Sequence, residues 1–185
     1  MDLIEGIHSR QSIGHVRLDP VPRAEIEKLL SAAVQAPNHY KVRPWRFVVL
    51  TGKGLERLGD VMAASQRHRF PELKSEALDI TRALPLRAPL VIAVGVDEPA
   101  EPKVVQIENV CAAAAACENM LLAAHAAGLA AKWRTGEWAS DARVKAFLGF
   151  EADQPLIAFL YIGYPEFIAE SMQRPGFEDR VTWME

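Results

Sequence analysis

The sequence is poor in cysteine and has no excess of positive charge. Its 185 residues include two cysteines, Cys111 and Cys117, and no C-x-x-C pair. This usage indicates two buried thiols in a reducing cytosol, because disulfide frameworks and zinc sites use more cysteines at closer spacing. The formal net charge is −3. Nucleic-acid binders usually carry a basic surplus that neutralises phosphates, so no nucleic-acid partner is expected.

Long hydrophobic runs are also missing. A membrane-spanning helix needs roughly 18 unbroken apolar residues. The nearest candidate, 110–131, is interrupted by Glu118, Asn119 and Gly128. The first five residues carry acids where a signal peptide has a basic end and an apolar run. We therefore expect a cytoplasmic protein without a membrane partner.

The familiar catalytic motifs are absent as well. The chain contains no H-E-x-x-H, G-x-S-x-G, G-x-G-x-x-G or phosphate-binding G-x-x-x-x-G-K-[ST] sequence. Its five histidines are scattered without the spacing of metal ligands. The sequence therefore predicts neither a metal site nor a catalytic side chain of the usual kinds.

The pattern of hydrophobic residues predicts one α+β domain over 1–185. Half of the residues are hydrophobic and 24% are charged, as in globular proteins. Hydrophobic strands and a long alanine-rich helix indicate a sheet covered by helices. The predicted strands are 45–51, 89–96, 129–135 and 156–164. The predicted helices are 2–9, one from 22 that Pro37 ends, 55–65, 103–127 and 141–148.

Three features of the sequence give more specific predictions. The continuous apolar run in 45–51 predicts a strand covered on both faces. Ser140 is the predicted cap of helix 141–148, and Gly149 its end. The charged stretch 66–87 predicts a helix with a mobile loop, whose role as a lid is left open. The tail 165–185 has no strong pattern.

The alanine-rich helix has two compatible interpretations. Residues 111–117 are all small, and small side chains let helix axes approach closely. A core helix and a tightly packed dimer seam would both use this property.

Four short segments combine cations, hydrogen-bonding groups and aromatic rings. Arg10-Gln11-Ser12 offers a planar guanidinium and a hydroxyl to a phosphate, although a solvated helix end has the same composition. Segment 36–45 is a loop between two prolines, suited to a ligand or to an ordinary connection. Segment 133–136 could meet the rim of a planar ligand or form a turn with an exposed arginine. Segment 159–165 leads a strand into a Gly-Tyr-Pro turn that allows close packing.

Taken in order, these segments resemble the nitroreductase family of FMN enzymes, and most of all its short, minimal branch. The resemblance runs over essentially the whole chain. Its matching pieces are Arg10-Gln11-Ser12, Ala36-Pro37 with His39, Pro44 to Val49, Ala88 to Ile92, the small-residue helix, Gly128, Trp133-Arg134-Thr135-Gly136, and Leu160 to Gly163.

The resemblance implies a nitroreductase-like fold, with a central, mainly antiparallel sheet flanked by helices. It also implies a homodimer of domain-swapped style with two FMN sites at the subunit boundary. The implied cofactor residues are Arg10, Gln11 and Ser12 at the phosphate and ribityl end, Gln35 and His39 near the isoalloxazine, and Trp133, Arg134 and Thr135 along the ring and phosphate side. The nicotinamide donor would dock at Ala123, Ala124, His125, Ala126, Ala127 and Gly128.

The implied activity is hydride transfer from NADH or NADPH through FMN to nitroaromatics, quinones or similar small acceptors by a ping-pong mechanism. The flavin performs the chemistry, so no catalytic side chain is assigned. One alternative is a specialised flavin enzyme of the same fold, such as a dehalogenase or a dihydropteridine-type reductase. Another is a non-catalytic dimeric interaction module.

The loop before Pro44-Trp45 departs from the family pattern. Many members carry asparagine and glutamine where this chain has Lys41 and Arg43. If these cations face inward, they would stabilise a reduced flavin or an anionic substrate. If they face outward, they are ordinary surface charges.

Overall fold

Four hydrophobic strands form one antiparallel sheet in the computed structural model, which describes residues 2–167 and 174–185. The strands are β1 (Trp45–Thr51), β2 (Leu90–Val96), β3 (Ala130–Arg134) and β4 (Leu156–Gly163). Their order across the sheet is β1-β2-β4-β3, so β1 and β3 lie at the edges. The sequence prediction of four strands in a mainly antiparallel sheet is confirmed.

Seven helices accompany the sheet in the described residues. They are α1 (Leu3–Ser9), α2 (Arg23–Ala33), α3 (Lys53–Arg69), α4 (Ser75–Arg82), α5 (Gln106–Ala126), α6 (Glu137–Ser140) and α7 (Ala142–Phe147). Single 3-10 turns lie at His39–Lys41, Pro85–Arg87 and Glu178–Arg180. α2 and α5 cover one face of the sheet, and α3, α6 and α7 cover the other.

The core helix α5 packs one side of its small and apolar residues against the sheet. Ala113, Ala116, Cys117, Met120 and Ala124 are fully buried against the strands. By length and composition alone α5 could cross a membrane, but this packing is that of a core helix. Gly128 ends the following turn with a φ of +72°, a value that favours glycine.

Several local predictions differ from the structure. β1 is covered only in part: Trp45 is buried on the α5 face and Leu50 on the α3 face, whereas Val49 is 41% exposed. Asp141, not Ser140, caps α7, and its Oδ1 accepts from the backbone N–H of Arg143 at 3.0 Å. Cys111 is exposed, so only Cys117 is a buried thiol.

The stretch 66–87 is ordered around two helices. It contains the end of α3, all of α4 and the turn Pro85–Arg87. Gly59 of α3 lies so close to α4 that an added Cβ would meet Arg82 O at 2.1 Å. A helix in this stretch is confirmed. Of the predicted unpatterned tail, residues 168–173 lie outside the described part.

Candidate functional site

Arg10 follows α1 with most of its side chain covered. Its Nε lies 3.3 Å from Glu118 Oε1 on α5, and 15% of the side chain is exposed. The orientation is that of an ion pair and not of a hydrogen bond, so this buried N–H has no hydrogen-bond acceptor within 2–167 and 174–185. Leaving a buried donor unpaired costs free energy. Arg10 thus presents an unused donor that fits an anionic acceptor.

The chain after Arg10 runs beside the edge strand β3. Ser12 forms an isolated parallel bridge with Ala131, which holds this segment against the sheet. Gln11 and Ser12 both line a cavity there. Arg174 reaches the same region from the tail, where its Nη2 donates to the carbonyl oxygen of Arg10 at 2.7 Å.

Two adjoining cavities open beside β3, on the sheet face that α3 covers. The first, which we call the loop cavity, has a volume of about 610 Å³. Its lining includes residues 11–16, Glu166 and Phe167. The second, the aromatic cavity, has about 380 Å³ and is lined in part by Trp138, Phe159 and Tyr161. Three cations line both cavities: Arg87, Lys132 and Arg134.

Alternation along β3 separates the predicted residues Trp133 and Arg134. The Trp133 ring packs in the α5 layer, and its Nε1 donates to Ile157 O at 2.9 Å. The Arg134 guanidinium lies over the Tyr161 ring on the other face, 5.5 Å from its centroid. Burial raises the pKa of Tyr161 and Arg134 opposes this shift, so the phenol stays protonated near neutral pH. Thr135 lies exposed at the strand end and lines the aromatic cavity.

Gln35 and His39 lie elsewhere in the same chain. Both are exposed, and His39 Nδ1 is 3.3 Å from Glu108 Oε2 near the start of α5. Arg10 contacts Glu118, ten residues further along this helix. Ten residues of an α-helix span about 15 Å. One chain therefore does not bring His39 together with the Arg10 end of the predicted site.

The loop around His39 has an unusual backbone. Tyr40, Lys41 and Arg43 have φ values of 52°, 57° and 53°, and Asn38 Oδ1 accepts from Arg43 N at 2.9 Å. Residues other than glycine rarely adopt such values, which cost about 1–2 kcal/mol each. Lys41 and Arg43 are exposed in the chain. The loop thus presents two cations on a locally strained backbone.

The segment predicted for the nicotinamide donor is the C-terminal end of α5 with its turn. Ala124 is fully buried, whereas Ala126, Ala127 and Gly128 are exposed. His125 Nε2 lies 2.8 Å from Ser9 Oγ, which ties this end of α5 to α1. Ala123 packs against the core. His125 and Gly128 also line a small cavity of about 250 Å³ next to Gln11.

A groove larger than both the loop cavity and the aromatic cavity contains none of the predicted site residues. It has about 920 Å³ and lies between α2 and β1, with Leu30, Val49 and Leu55 among its mostly apolar lining. Size alone therefore does not mark the site. Within the described residues, no group of three or more His, Cys, Asp or Glu side chains could hold a metal ion.

Comparison with known proteins decides the family. The family model described as "Nitroreductase family" matches residues 7–164. An Escherichia coli (strain K12) protein named "Putative NAD(P)H nitroreductase YdjA" is 31% identical over 172 residues, which are 92% of each chain. The chain belongs to the nitroreductase family. It is accordingly an oxidoreductase of a flavoprotein family that uses NAD(P)H and FMN, which removes the non-catalytic module from consideration.

Solved nitroreductase structures have the same fold. A nitroreductase-like family protein from Bacillus cereus aligns with a TM-score of 0.84 at 24% identity, covering 100% of this chain and 97% of that chain. A Desulfovibrio desulfuricans protein titled "a putative nitroreductase in complex with FMN" aligns with a TM-score of 0.76 at 26% identity, covering 100% and 98%.

Sequence reasoning missed three cations of this region. Lys132 stands two residues before Arg134, and side chains two residues apart on a strand share one face. The predicted strand therefore already placed Lys132 beside Arg134. Arg87 and Arg174 had no such signal. Arg87 belongs to a turn and Arg174 to the tail, and tertiary contacts alone bring them to the cavities and to Arg10.

Proposed function

We propose that this nitroreductase-family chain binds FMN in the loop and aromatic cavities and reduces small acceptors such as nitroaromatics and quinones. The loop cavity carries this proposal: three cations line it together with Gln11 and Ser12, and these two residues directly follow Arg10, whose buried Nε–H has no hydrogen-bond acceptor among the described residues. An anionic phosphate on a planar ring system fits both the donor set and the aromatic walls. A family relative is described in complex with FMN.

The residues have distinct proposed roles. Arg10 and Ser12 hold the FMN phosphate and ribityl end, with Gln11 beside them. Arg174 stabilises this segment by donating a hydrogen bond to the backbone carbonyl oxygen of Arg10. Arg134, fixed over Tyr161, and Thr135 line the ring side. Bound FMN would accept a hydride from NAD(P)H and deliver it to the acceptor.

We assign the remaining residues to a second subunit's site. The loop that carries His39, Lys41 and Arg43 contacts α5 at Glu108, about 15 Å along the helix from the Arg10 contact Glu118, and Gln35 precedes this loop as an exposed residue. A homodimer would bring the loop of one chain to the cavities of its partner. Exposed apolar residues support such an interface: Leu3, Ile4, Ile107, Trp183 and Met184 are each more than half exposed.

The β1 edge and the tail suggest how the dimer is joined. β1 has an unpaired edge beside the apolar groove, and the exposed tail 181–185 carries Trp183 and Met184. Unpaired edges readily accept another strand. A tail that covers the partner's edge would give the domain-swapped style of dimer implied by the family resemblance.

The donor site is proposed at Ala123 to Gly128. This segment offers an exposed turn beside the small cavity next to Gln11, so a nicotinamide could approach the loop cavity there. The exposed cations Lys41 and Arg43 would favour anionic groups on a donor or acceptor.

The visible absorption spectrum of the purified protein tests the proposal. A flavin band that persists through gel filtration, and that NADH or NADPH bleaches without oxygen, is the expected result. A protein that stays colourless after incubation with excess FMN would refute it. Turnover with nitroaromatics and quinones would then define which acceptors the site admits.

A further inference from the structure

Three cations meet where the loop cavity and the aromatic cavity adjoin. Arg87, Lys132 and Arg134 line both cavities, and Glu166 is the one acidic residue in either lining among the described residues. The Arg134 guanidinium packs over the face of the Tyr161 ring. The junction therefore has a surplus of positive charge close to aromatic walls.

Lys132 has a defined direction into this junction. It lies opposite Tyr161 in the register of β3 and β4. Its neighbours Ala131 and Trp133 belong to the core cluster under α5. Because side chains alternate along a strand, Lys132 points to the opposite face, away from α5.

Gly14 provides the seat for the lysine stem. A Cβ added at Gly14 would meet Lys132 Cδ at 2.9 Å and Nζ at 3.5 Å. The φ of Gly14 is outside the left-handed region, so its backbone would accept any L-residue. The glycine therefore provides space and not a special conformation: the lysine stem lies directly on its backbone, and a larger residue would displace the stem.

We infer that Lys132, seated on Gly14, holds the negative charge that the FMN ring gains on reduction and so raises the reduction potential of the bound flavin. This inference rests on the proposed function. The phosphate end already has Arg10, whose guanidinium pairs with Glu118 on the α5 side of the sheet. Lys132 extends from the other face into the junction of the two cavities, where Arg134 and the aromatic walls proposed for the ring also lie.

The charge balance gives the physical reason. A hydride from NAD(P)H carries two electrons and one proton, and NAD(P)⁺ leaves. The ring system thereby gains one negative charge until a second proton arrives from water. A fixed ammonium group in a partly water-excluded cavity stabilises that charge more than it stabilises the neutral oxidised ring. It therefore favours the reduced form over the oxidised form.

The test compares Lys132→Met with the wild-type holoenzyme in two measurements. One is the midpoint potential of bound FMN, and the other is the dissociation constant of oxidised FMN. We expect reduced FMN to lose about tenfold more affinity than oxidised FMN, which lowers the potential by about 30 mV for a two-electron couple. The dissociation constant of oxidised FMN should change little, and Lys132→Arg should keep the wild-type potential.

Three results would overturn the inference. An unchanged potential would show that Lys132 does not act on the reduced ring. Equal weakening of both redox forms, with riboflavin binding unaffected, would make Lys132 a phosphate ligand. A wild-type protein that binds no FMN would refute the proposed function and this inference together, whereas the first two results leave the proposed function intact.

Gly14→Ala tests the seat while keeping the lysine. Its Cβ should displace the lysine stem and lower the potential in the same direction as Lys132→Met. In the Lys132→Met background, Gly14→Ala should lower the potential no further, because residues in contact are coupled. Additive changes would contradict the seat. Lys53→Met, an exposed lysine on α3 outside both cavities, is the matched control and should keep the wild-type potential.

Discussion

Arg10 combines a buried position with an incomplete set of partners. Glu118 balances its charge but leaves the Nε–H without an acceptor. If this donor binds the FMN phosphate, Arg10→Ala removes a charge-assisted hydrogen bond of about 1.5–3 kcal/mol, and FMN affinity falls about 10- to 100-fold. Fluorescence titration of the apoprotein with FMN measures this loss.

The control for Arg10 is another arginine paired with a carboxylate. Arg46 Nε lies 2.7 Å from Asp97 Oδ1, outside the cavities. Arg46→Ala should leave FMN affinity unchanged, and Arg10→Lys should lie between wild type and Arg10→Ala because it keeps the charge but loses the planar fork. Equal affinities in Arg10→Ala and wild type would remove Arg10 from the site.

The two cysteines should differ sharply in reactivity. Burial raises the pKa of the Cys117 thiol to about 12, so the reactive thiolate is scarce near neutral pH. Cys111 is exposed in the single chain. Alkylation followed by mass spectrometry should find Cys117 unmodified until the protein is denatured. Cys117→Ser should leave labelling of the native protein unchanged, and rapid native labelling of Cys117 would contradict its burial.

At the residue scale, the sequence indicated the arginines of the candidate site more readily than the residues that surround them. Arg10 and Arg134 were recognisable because each stands at the end of a predicted element. Glu118, Arg87 and Arg174 were not, since their contacts depend on how distant segments pack. Trp133 was assigned to the ligand by resemblance; it packs against the core layer under α5, and it also lines the aromatic cavity.

Among the elements, α3 offers a direct comparison of two glycines. A Cβ at Gly59 would meet the carbonyl oxygen of Arg82 in α4 at 2.1 Å, whereas at Gly54 the nearest atom is Leu50 Cδ2 at 3.7 Å. Gly59→Ala should push the helices apart and cost about 1–3 kcal/mol of unfolding free energy. Gly54→Ala should be neutral or stabilise by about 0.5–1 kcal/mol.

Urea denaturation of the two glycine variants provides the measurement. The midpoint should fall in Gly59→Ala and stay level or rise in Gly54→Ala, without a change in slope. Equal midpoints would mean that α3 and α4 do not pack as described.

Element prediction succeeded where one local pattern dominates. β1 was predicted with its observed bounds, and α5 within a few residues, because hydrophobic runs and helical spacing are local signals. The edge position of β1 depends on strand order and could not be read from its run of apolar residues. No sequence pattern predicted the short helix α6. Its buried residues, Trp138 and Ala139, are covered by tertiary packing.

At the scale of the whole molecule, the proposed FMN site requires two chains. Ile107 on α5 is 63% exposed and precedes Glu108, the contact of His39. If this surface lies in the dimer interface, Ile107→Arg buries an unpaired charge there and should yield monomers that lose FMN. Ile80→Arg is the matched control, because Ile80 on α4 is 64% exposed and distant in sequence from the loop.

Analytical ultracentrifugation with absorbance detection follows both species. Ile80→Arg should sediment as a dimer with FMN. A dimeric, yellow Ile107→Arg would place the interface elsewhere. The sequence suggested a dimer through its run of small residues, but it could not specify which exposed residues surround that run, because exposure follows from the fold.

The most direct test of the shared FMN site is gel filtration of the FMN-loaded wild-type protein, with light scattering and flavin absorbance recorded on the same peak. We expect a particle of twice the 20.5 kDa chain mass that carries one FMN per chain. A monomer of 20.5 kDa that retains FMN, or a dimer that retains none, would contradict it.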